Sequence, residues 1–291
     1  MNARQRARLA FWLLAPALAF VTVVGAIPVL TQFVLSFTNF NLKFPDERGF
    51  AGLSNFSRLL ADDLFWSDLG QTAYFTVVSV GLELVLGLAA ALLLHRMLRG
   101  RMAMNASLIV PWALPTVVAA TLWSLLLNDR VGLVNSVLER LGLMGEPIVW
   151  LGARLAMTSV ILADVWKTTP FVAIILLAGL KSIPAQYYEA AALDGAGRWA
   201  VFRSITLPLL KPFIAIAVLF RTMDAFRVFD LIWVLTGGAS RTETLSIYIY
   251  RVLFRYADLG YGSTLTVALF VIVFVLSLGL IRFMKVSGEA Q

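Results

Sequence analysis

Apolar residues in this chain run in long blocks, each wider than the stripe of an amphipathic helix and unlike the period-two pattern of a half-buried strand. A bilayer core about 30 Å thick takes roughly 20 apolar residues in helical form, because the backbone there must satisfy its own hydrogen bonds. Six blocks meet that length, at approximately residues 9–37, 69–94, 102–127, 155–180, 212–235 and 259–281. They predict an all-α polytopic membrane protein with six transmembrane helices, organised as one domain over residues 1–291. Pro16, Pro28, Pro111, Pro115 and Pro170 lie inside the blocks. They are expected to kink the helices, either as hinges or as plain bends, since a membrane bundle re-satisfies the freed backbone groups.

The connections carry signals of their own. Within residues 50–68, Leu53, Phe56, Leu59 and Leu60 stand at helical spacing around a Ser54-Asn55 start, which predicts an amphipathic surface helix. Residues 134–141 and 245–254 are similar candidates, the latter following a Gly237-Gly238 turn. The connection from 181 to 211 is more informative. Pro184 opens it, the Ala-rich run QYYEAAAL over 186–193 favours helix, and Asp194-Gly195 supplies a stop. Ala190 and Ala191 offer small side chains to an exposed face and Glu189 offers an acidic handle, which together suit a protein docking surface. Beyond the turn, Trp199, Val201, Phe202 and Ile205 form an apolar stripe expected to pack on the bundle, and Leu207-Pro208 is expected to break that helix before the fifth block.

Composition agrees with a membrane solvent. Apolar residues make up 60% of the chain and charged ones 14%, against about 25% charged in soluble domains. The net charge of +7 does not point to nucleic acid, because the basic residues flank apolar blocks and do not cluster with aromatics. Their distribution predicts orientation instead. With both termini cytoplasmic, the inner segments hold twelve: Arg4, Arg6, Arg8, Arg96, Arg99, Arg101, Lys181, Arg198, Arg203, Lys211, Arg282 and Lys285. The outer connections hold Lys43, Arg48, Arg58, Arg130, Arg140, Arg241, Arg251 and Arg255, and most of the acidic residues, Glu189, Asp194 and Glu289 being the inner ones. The uncharged run that follows Arg8 is too long for a cleavable signal segment of about 7–15 apolar residues, and reads as a retained first helix. The absence of cysteine excludes disulfides, thiolate metal sites and cysteine nucleophiles.

The loop has a recognisable spacing: Glu189-Ala190-Ala191, three residues, Gly195, nine residues, Ile205, one residue, Leu207-Pro208. It resembles the EAA loop of ABC importer permeases, where a short cytoplasmic coupling helix docks into a separate ATPase subunit. The resemblance implies a type I ABC importer permease fold and ATPase-coupling roles for Tyr188, Glu189, Ala190, Ala191, Asp194, Gly195, Ile205, Leu207 and Pro208. The segments LAFWLLAPALAF, FAGLSNFSRLL and LFRTMDAFRVFDLIWVLTGG are similar to carbohydrate-uptake permeases related to maltose, trehalose and glycerol-3-phosphate importers, and through residues 221–238 most of all to the trehalose type. That likeness implies a second homologous permease, two ATPase subunits, an extracytoplasmic sugar-binding protein and the lipid of a bacterial or archaeal plasma (inner) membrane as partners. No G-x-x-x-x-G-K-[ST] occurs, so the chain is expected to bind no cofactor itself, with ATP and Mg on the partner ATPase.

Ionisable groups inside the blocks cost several kcal/mol if unpaired and are functional candidates for that reason. The fifth block carries Arg221, Asp224, Arg227 and Asp230 at i,i+3 steps, expected as a neutral ladder about 13.5 Å long on one helix. Either it lines a translocation path, with Asp224 and Asp230 accepting from sugar hydroxyls and Phe226, Phe229 or Trp233 stacking on the ring, or it only packs helices. In the fourth block Asp164, Trp166, Lys167, Thr168 and Thr169 precede Pro170, with Asp164 and Lys167 in pairing register. Glu83 stands alone in the second block and is expected to find Lys167 or Arg227. His95, the single histidine, reads as an interfacial residue, and no metal-ligand cluster or nucleophile with a base is visible. A small solute other than sugar, such as glycerol-3-phosphate or an amino acid, is the alternative cargo, and an ion-coupled secondary transporter the alternative mechanism.

Overall fold

The computed structural model describes residues 3–96 and 101–288. Arg99 and Glu289 of the charge count lie outside the described residues. The described residues are mostly helical, with one short hairpin pairing β1 (Thr38–Asn39) with β2 (Gly49–Phe50). Five helices among the described residues are long and apolar enough to cross a membrane, and one bent pair passes the same test when its two helices are taken together as a broken span.

The first span joins α1 (Ala3–Phe20) through a π-helical stretch, Val21–Ala26, to α2 (Ile27–Ser36). Pro28 explains the widening: its ring collides with the carbonyl four residues back, at Val24, and the wider turn relieves that clash. One compact unit comprises residues up to 65 together with 248–272. In it the surface helix α3 (Ser54–Leu60) stops two residues before the long α4 (Asp63–Arg96), so the expected second span begins earlier, at Asp63. The apolar positions of α3 do not all turn inward. Leu59 is buried, but Leu53 and Leu60 are exposed, and the residue that anchors the helix is the buried Asn55, whose Nδ2 donates to the carbonyls of Ser36 and Thr38 at 3.1 and 3.0 Å.

The same unit holds a polar knot. Asp62 caps α4 by accepting from the Leu64 amide at 3.0 Å, and its other oxygen accepts from the hydroxyls of Tyr248 (2.6 Å) and Tyr261. Tyr248 lies on α13 (Leu245–Tyr250) and Tyr261 near the start of α14 (Leu259–Gly288). Arg58 pairs with Asp258 at 3.0 Å and lies 3.8 Å over the Tyr261 ring. Burial pushes the Asp62 carboxyl up, but the two tyrosine hydroxyls and the amides of Leu64 and Phe65 outweigh it and hold the group below its usual range. Burial and the neighbouring Asp62 raise the Tyr248 phenol.

The second unit, residues 66–247 and 273–291, contains nearly all of α4, the third, fourth and fifth spans, and the last part of α14. The third is not the single helix expected over 102–127: α5 (Arg101–Ala113) and α6 (Thr116–Leu126) meet at a 98° bend in the pair Ala106–Ala113 and Thr116–Leu126. Pro115 causes it, having no amide hydrogen to donate and steering Leu114 away from helical angles. After α7 (Leu133–Arg140), α8 (Ala156–Ser182) is the best-buried span. Glycines let its neighbours close in: a Cβ on Gly87 of α4 would sit 2.7 Å from Val172, and one on Gly179 of α8 would sit 2.5 Å from Phe213. Without a hydrophobic force between helices in lipid, such close packing is what holds a bundle together.

The fifth span departs most from expectation. It starts at Arg198, in α10 (Arg198–Val201), and runs through a π-helical stretch, Phe202–Thr206, into α11 (Leu207–Ala225). Leu207-Pro208 therefore does not break the helix; Pro208 sits in the first turn of α11, where its missing amide costs least, and the π turn absorbs its clash with Ser204. The helix stops instead at Ala225, and a separate short helix, α12 (Asp230–Leu235), follows.

Candidate functional site

Where α11 ends, an open cleft of about 530 Å³ lies among α6, α8, α11 and α12. Asp164, Lys167, Asp224, Arg227, Phe229 and Asp230 line it, together with Thr116 and Thr168, which were not among the expected path residues. The expected ladder is not continuous, because the break at 226–229 puts Arg227 in a turn and Asp230 at the start of α12. Only Arg221 and Asp224 keep the i,i+3 relation, and they do form an ion pair.

Arg221 is the hub behind the cleft. It is 3% exposed, its Nε and Nη2 donate to the two oxygens of Glu83 at 2.5 and 2.9 Å, and Nη2 also reaches Asp164 at 3.1 Å. Two expected pairings are thereby corrected: Glu83 takes Arg221 in place of Lys167 or Arg227, and Asp164 takes Arg221 in place of Lys167. A fully buried carboxylate on α4 needs a partner that fills both oxygens, and the flat guanidinium fork does so where an ammonium gives one point contact. Thr168 completes the shell, its hydroxyl lying 2.7 Å from Glu83 Oε1 and 2.6 Å from the Asp164 carbonyl. Arg227 turns its Nε to the Met223 carbonyl at 3.0 Å.

The aromatic candidates divide. Phe229 lines the cleft and stacks on Trp233, centroids 5.7 Å apart and planes at 12°. Phe226 is buried and borders a different, smaller space beside Met223 and Leu276. Trp166 does not line the cleft either and meets Trp123 edge-on at 5.9 Å. Glu83 and Arg221 lie behind the wall and do not form part of it.

The loop after α8 folds as its sequence asks. Pro184 caps α9 (Ala185–Leu193), which closes on a two-bond turn: the Ala196 amide donates to the Ala191 carbonyl at 2.9 Å and the Gly195 amide to Ala192 at 3.2 Å. This Schellman geometry needs a left-handed residue after the cap, and Gly195 supplies it at φ +70°. The two alanines of the motif face opposite ways. Ala190 and Glu189 are exposed, whereas Ala191 is buried, which corrects the expectation that both alanines form the outer surface. Tyr188, one turn before Ala191, faces inward with it, its hydroxyl 3.3 Å from Thr206 Oγ1. Ile205, Leu207 and Pro208 are half-buried in the adjoining helix, while Asp194 is exposed. Trp199 is 71% exposed and stacks on Phe202, so the apolar stripe is not wholly packed down.

A helical membrane protein with a broken third span, a buried ion-pair hub and a glycine-closed helix between its fourth and fifth spans has the parts of a transport subunit. Residues 83–286 match the family described as "Binding-protein-dependent transport system inner membrane component", and the chain belongs to that family. It is 42% identical over 271 residues to the trehalose/maltose transport system permease protein MalF of Thermococcus litoralis, covering 92% of this chain and 91% of that one. Identity to the trehalose transport system permease protein SugA of Mycobacterium tuberculosis is 40% over 284 residues, covering 97% and 90%. In fold, the chain superposes on the crystal structure of a bacterial ABC transporter that imports the acidic polysaccharide alginate, with a TM-score of 0.84 and 23% identity over 97% of this chain and 96% of that chain. The chain is thus a multi-pass membrane subunit of a transporter and not an enzyme.

Proposed function

We propose that this permease forms half of the path by which an ATP-driven importer moves a neutral carbohydrate, a disaccharide such as trehalose or maltose. The observation that carries this reading is the cleft at the α11–α12 break. Its threonines, carboxylates and cations share the wall with Phe229, which Trp233 backs by stacking, a set that serves sugar hydroxyls with hydrogen bonds and a sugar face with an aromatic one. With the hub behind it, the site holds four carboxylates (Glu83, Asp164, Asp224, Asp230) against three cations (Lys167, Arg221, Arg227), a near balance that gives a charged solute no strong preference. That the relatives MalF and SugA are permeases of trehalose/maltose and trehalose transport systems supports the same cargo class.

The loop around α9 is the coupling element. Tyr188 and Ala191 fasten α9 inward, and Glu189, Ala190 and Leu193 face out toward an ATPase subunit that binds ATP and Mg. A second homologous permease, two ATPase subunits and an extracytoplasmic sugar-binding protein complete the machine. The basic residues support both termini on the cytoplasmic side; Arg154, just before α8, adds one more outer cation, leaving twelve inside against nine outside.

Uptake and stimulated ATP hydrolysis in proteoliposomes of the full complex, measured with trehalose, maltose, glycerol-3-phosphate and an amino acid, test the cargo class. The two disaccharides should stimulate and the others should not. Stimulation only by glycerol-3-phosphate or the amino acid sinks the carbohydrate reading. For the coupling role, Gly195→Val should abolish stimulated transport or ATPase assembly, and normal uptake by an intact complex would refute it.

A further inference from the structure

We infer that Arg221 is a positioning residue that presents Asp164 and Asp224 to the substrate as a matched pair of acceptors, and that Glu83 anchors Arg221 for this task. The inference deepens the carbohydrate reading and rests on it. One guanidinium gathers carboxylates from three helices: Glu83 of α4, Asp164 of α8 and Asp224 of α11. The three are not equivalent. Glu83 is fully buried and takes two of the donors in a bidentate grip, which leaves it no access to a solute. Asp164 and Asp224 each touch Arg221 through Oδ2 alone, and both line the cleft.

Asymmetry of exposure completes the argument. The Asp224 side chain is 71% exposed and that of Asp164 11%, so the pair spans the wall from its open rim to its floor. A carboxylate fixed through one oxygen is an oriented acceptor, and two acceptors hinged on one planar fork keep a set distance from each other. A pair of neighbouring hydroxyl groups on a sugar ring is the donor set that such acceptors select. The largely buried Asp164 also rejects an analogue that lacks the donor, since its acceptor is then left unpaired, whereas the exposed Asp224 can turn to water. Lys167, on α8 one turn from Asp164, supplies the complementary donor for a ring or hydroxyl oxygen.

The test uses the full complex in proteoliposomes, with trehalose and its monodeoxy analogues as probes. Asp164→Asn and Asp224→Asn should each raise the KM for trehalose about ten-fold or more with the amount of assembled complex unchanged, as expected for a hydrogen bond to a charged group. At least one monodeoxy trehalose that the wild-type complex handles poorly should lose that penalty in the Asn variants. Glu83→Gln should raise KM in the same direction, and combining it with Asp164→Asn should give less than the product of the two effects, because both act through one acceptor. If Glu83→Gln fails to assemble, Arg221→Lys replaces it, with the same expected rise and the same non-additivity. Unchanged KM in both Asn variants, an unaltered deoxy ranking, or strictly multiplicative effects would overturn the inference while leaving carbohydrate transport intact. A wild-type complex that moves neither trehalose nor maltose overturns the carbohydrate reading and this inference together.

Discussion

Arg221 and Glu83 are 138 residues apart in sequence and share two hydrogen bonds of 2.5 and 2.9 Å with no solvent between them. Removing Glu83 strips two hydrogen bonds from a buried guanidinium and leaves it Asp164 and Asp224, so the cost approaches but does not exceed the about 3–5 kcal/mol of a buried pair broken with no other partner. Glu83→Ala should therefore lower the yield and thermal stability of the detergent-solubilised subunit more than Glu83→Gln, which keeps the shape and one acceptor. Equal melting curves for wild type and Glu83→Ala would show that the hub carries no structural weight.

At Gly195 the demand is conformational and not steric. A Cβ there meets nothing within 4 Å, but φ is +70°. A non-glycine residue in left-handed geometry costs about 1–2 kcal/mol, and Asn tolerates it best. Coupled transport should rank wild type, then Gly195→Asn, then Gly195→Ala, with Gly195→Val lowest. A ranking by side-chain size alone, with Asn below Ala, would contradict the backbone argument.

Gly179 makes the opposite prediction. Its place is set by space, since an added Cβ would lie 2.5 Å from Phe213 and 2.7 Å from Leu210. Gly179→Leu should force α8 and α11 apart and destabilise the fold by at least the ~1–3 kcal/mol typical of overpacking. Pairing it with Phe213→Ala should recover part of the loss in a melting assay, whereas Phe213→Ala alone should not stabilise.

The Asp62 knot gives a pH dependence with a definite sign. Its carboxyl is held below the ordinary value of 3.8 in the folded chain, so its contribution is complete above that value and is lost as pH falls through the folded value. Asp62→Asn should remove this acid limb and leave the Tyr248 and Tyr261 hydroxyls with a weaker acceptor. Hydrogen exchange of the peptide spanning 245–262 should rise in the variant at neutral pH, and in the wild type only at strongly acid pH. Exchange that is the same in both proteins across that range would remove Asp62 from the account.

What the sequence revealed depended on range. Apolar blocks are imposed by the bilayer and so were visible, as was α9, whose Pro184 start and Gly195 stop are local backbone facts. The bend at Pro115 carried a signal too, but a hydropathy block reads straight through it. The end of α11 at Ala225 has no proline or glycine to mark it, and the i,i+3 charges there imitated a continuous helix. Arg221's partners lie on other helices, so spacing within its own block pointed to Asp224 and could not point to Glu83 or Asp164. In the loop after α8 the spacing was legible, yet that Ala191 and not Ala190 is buried depended on tertiary packing.

The outward side of α9 has a consequence for how the protein is made. Leu193 is 90% exposed and Tyr187 52%, on a helix that connects two spans. A subunit translated without something to cover that patch displays the kind of greasy handle that quality-control proteases and holdases seize. On the proposed docking of an ATPase subunit at α9, cellular abundance of the chain should follow the supply of that subunit, and balanced synthesis becomes a requirement written into one short helix.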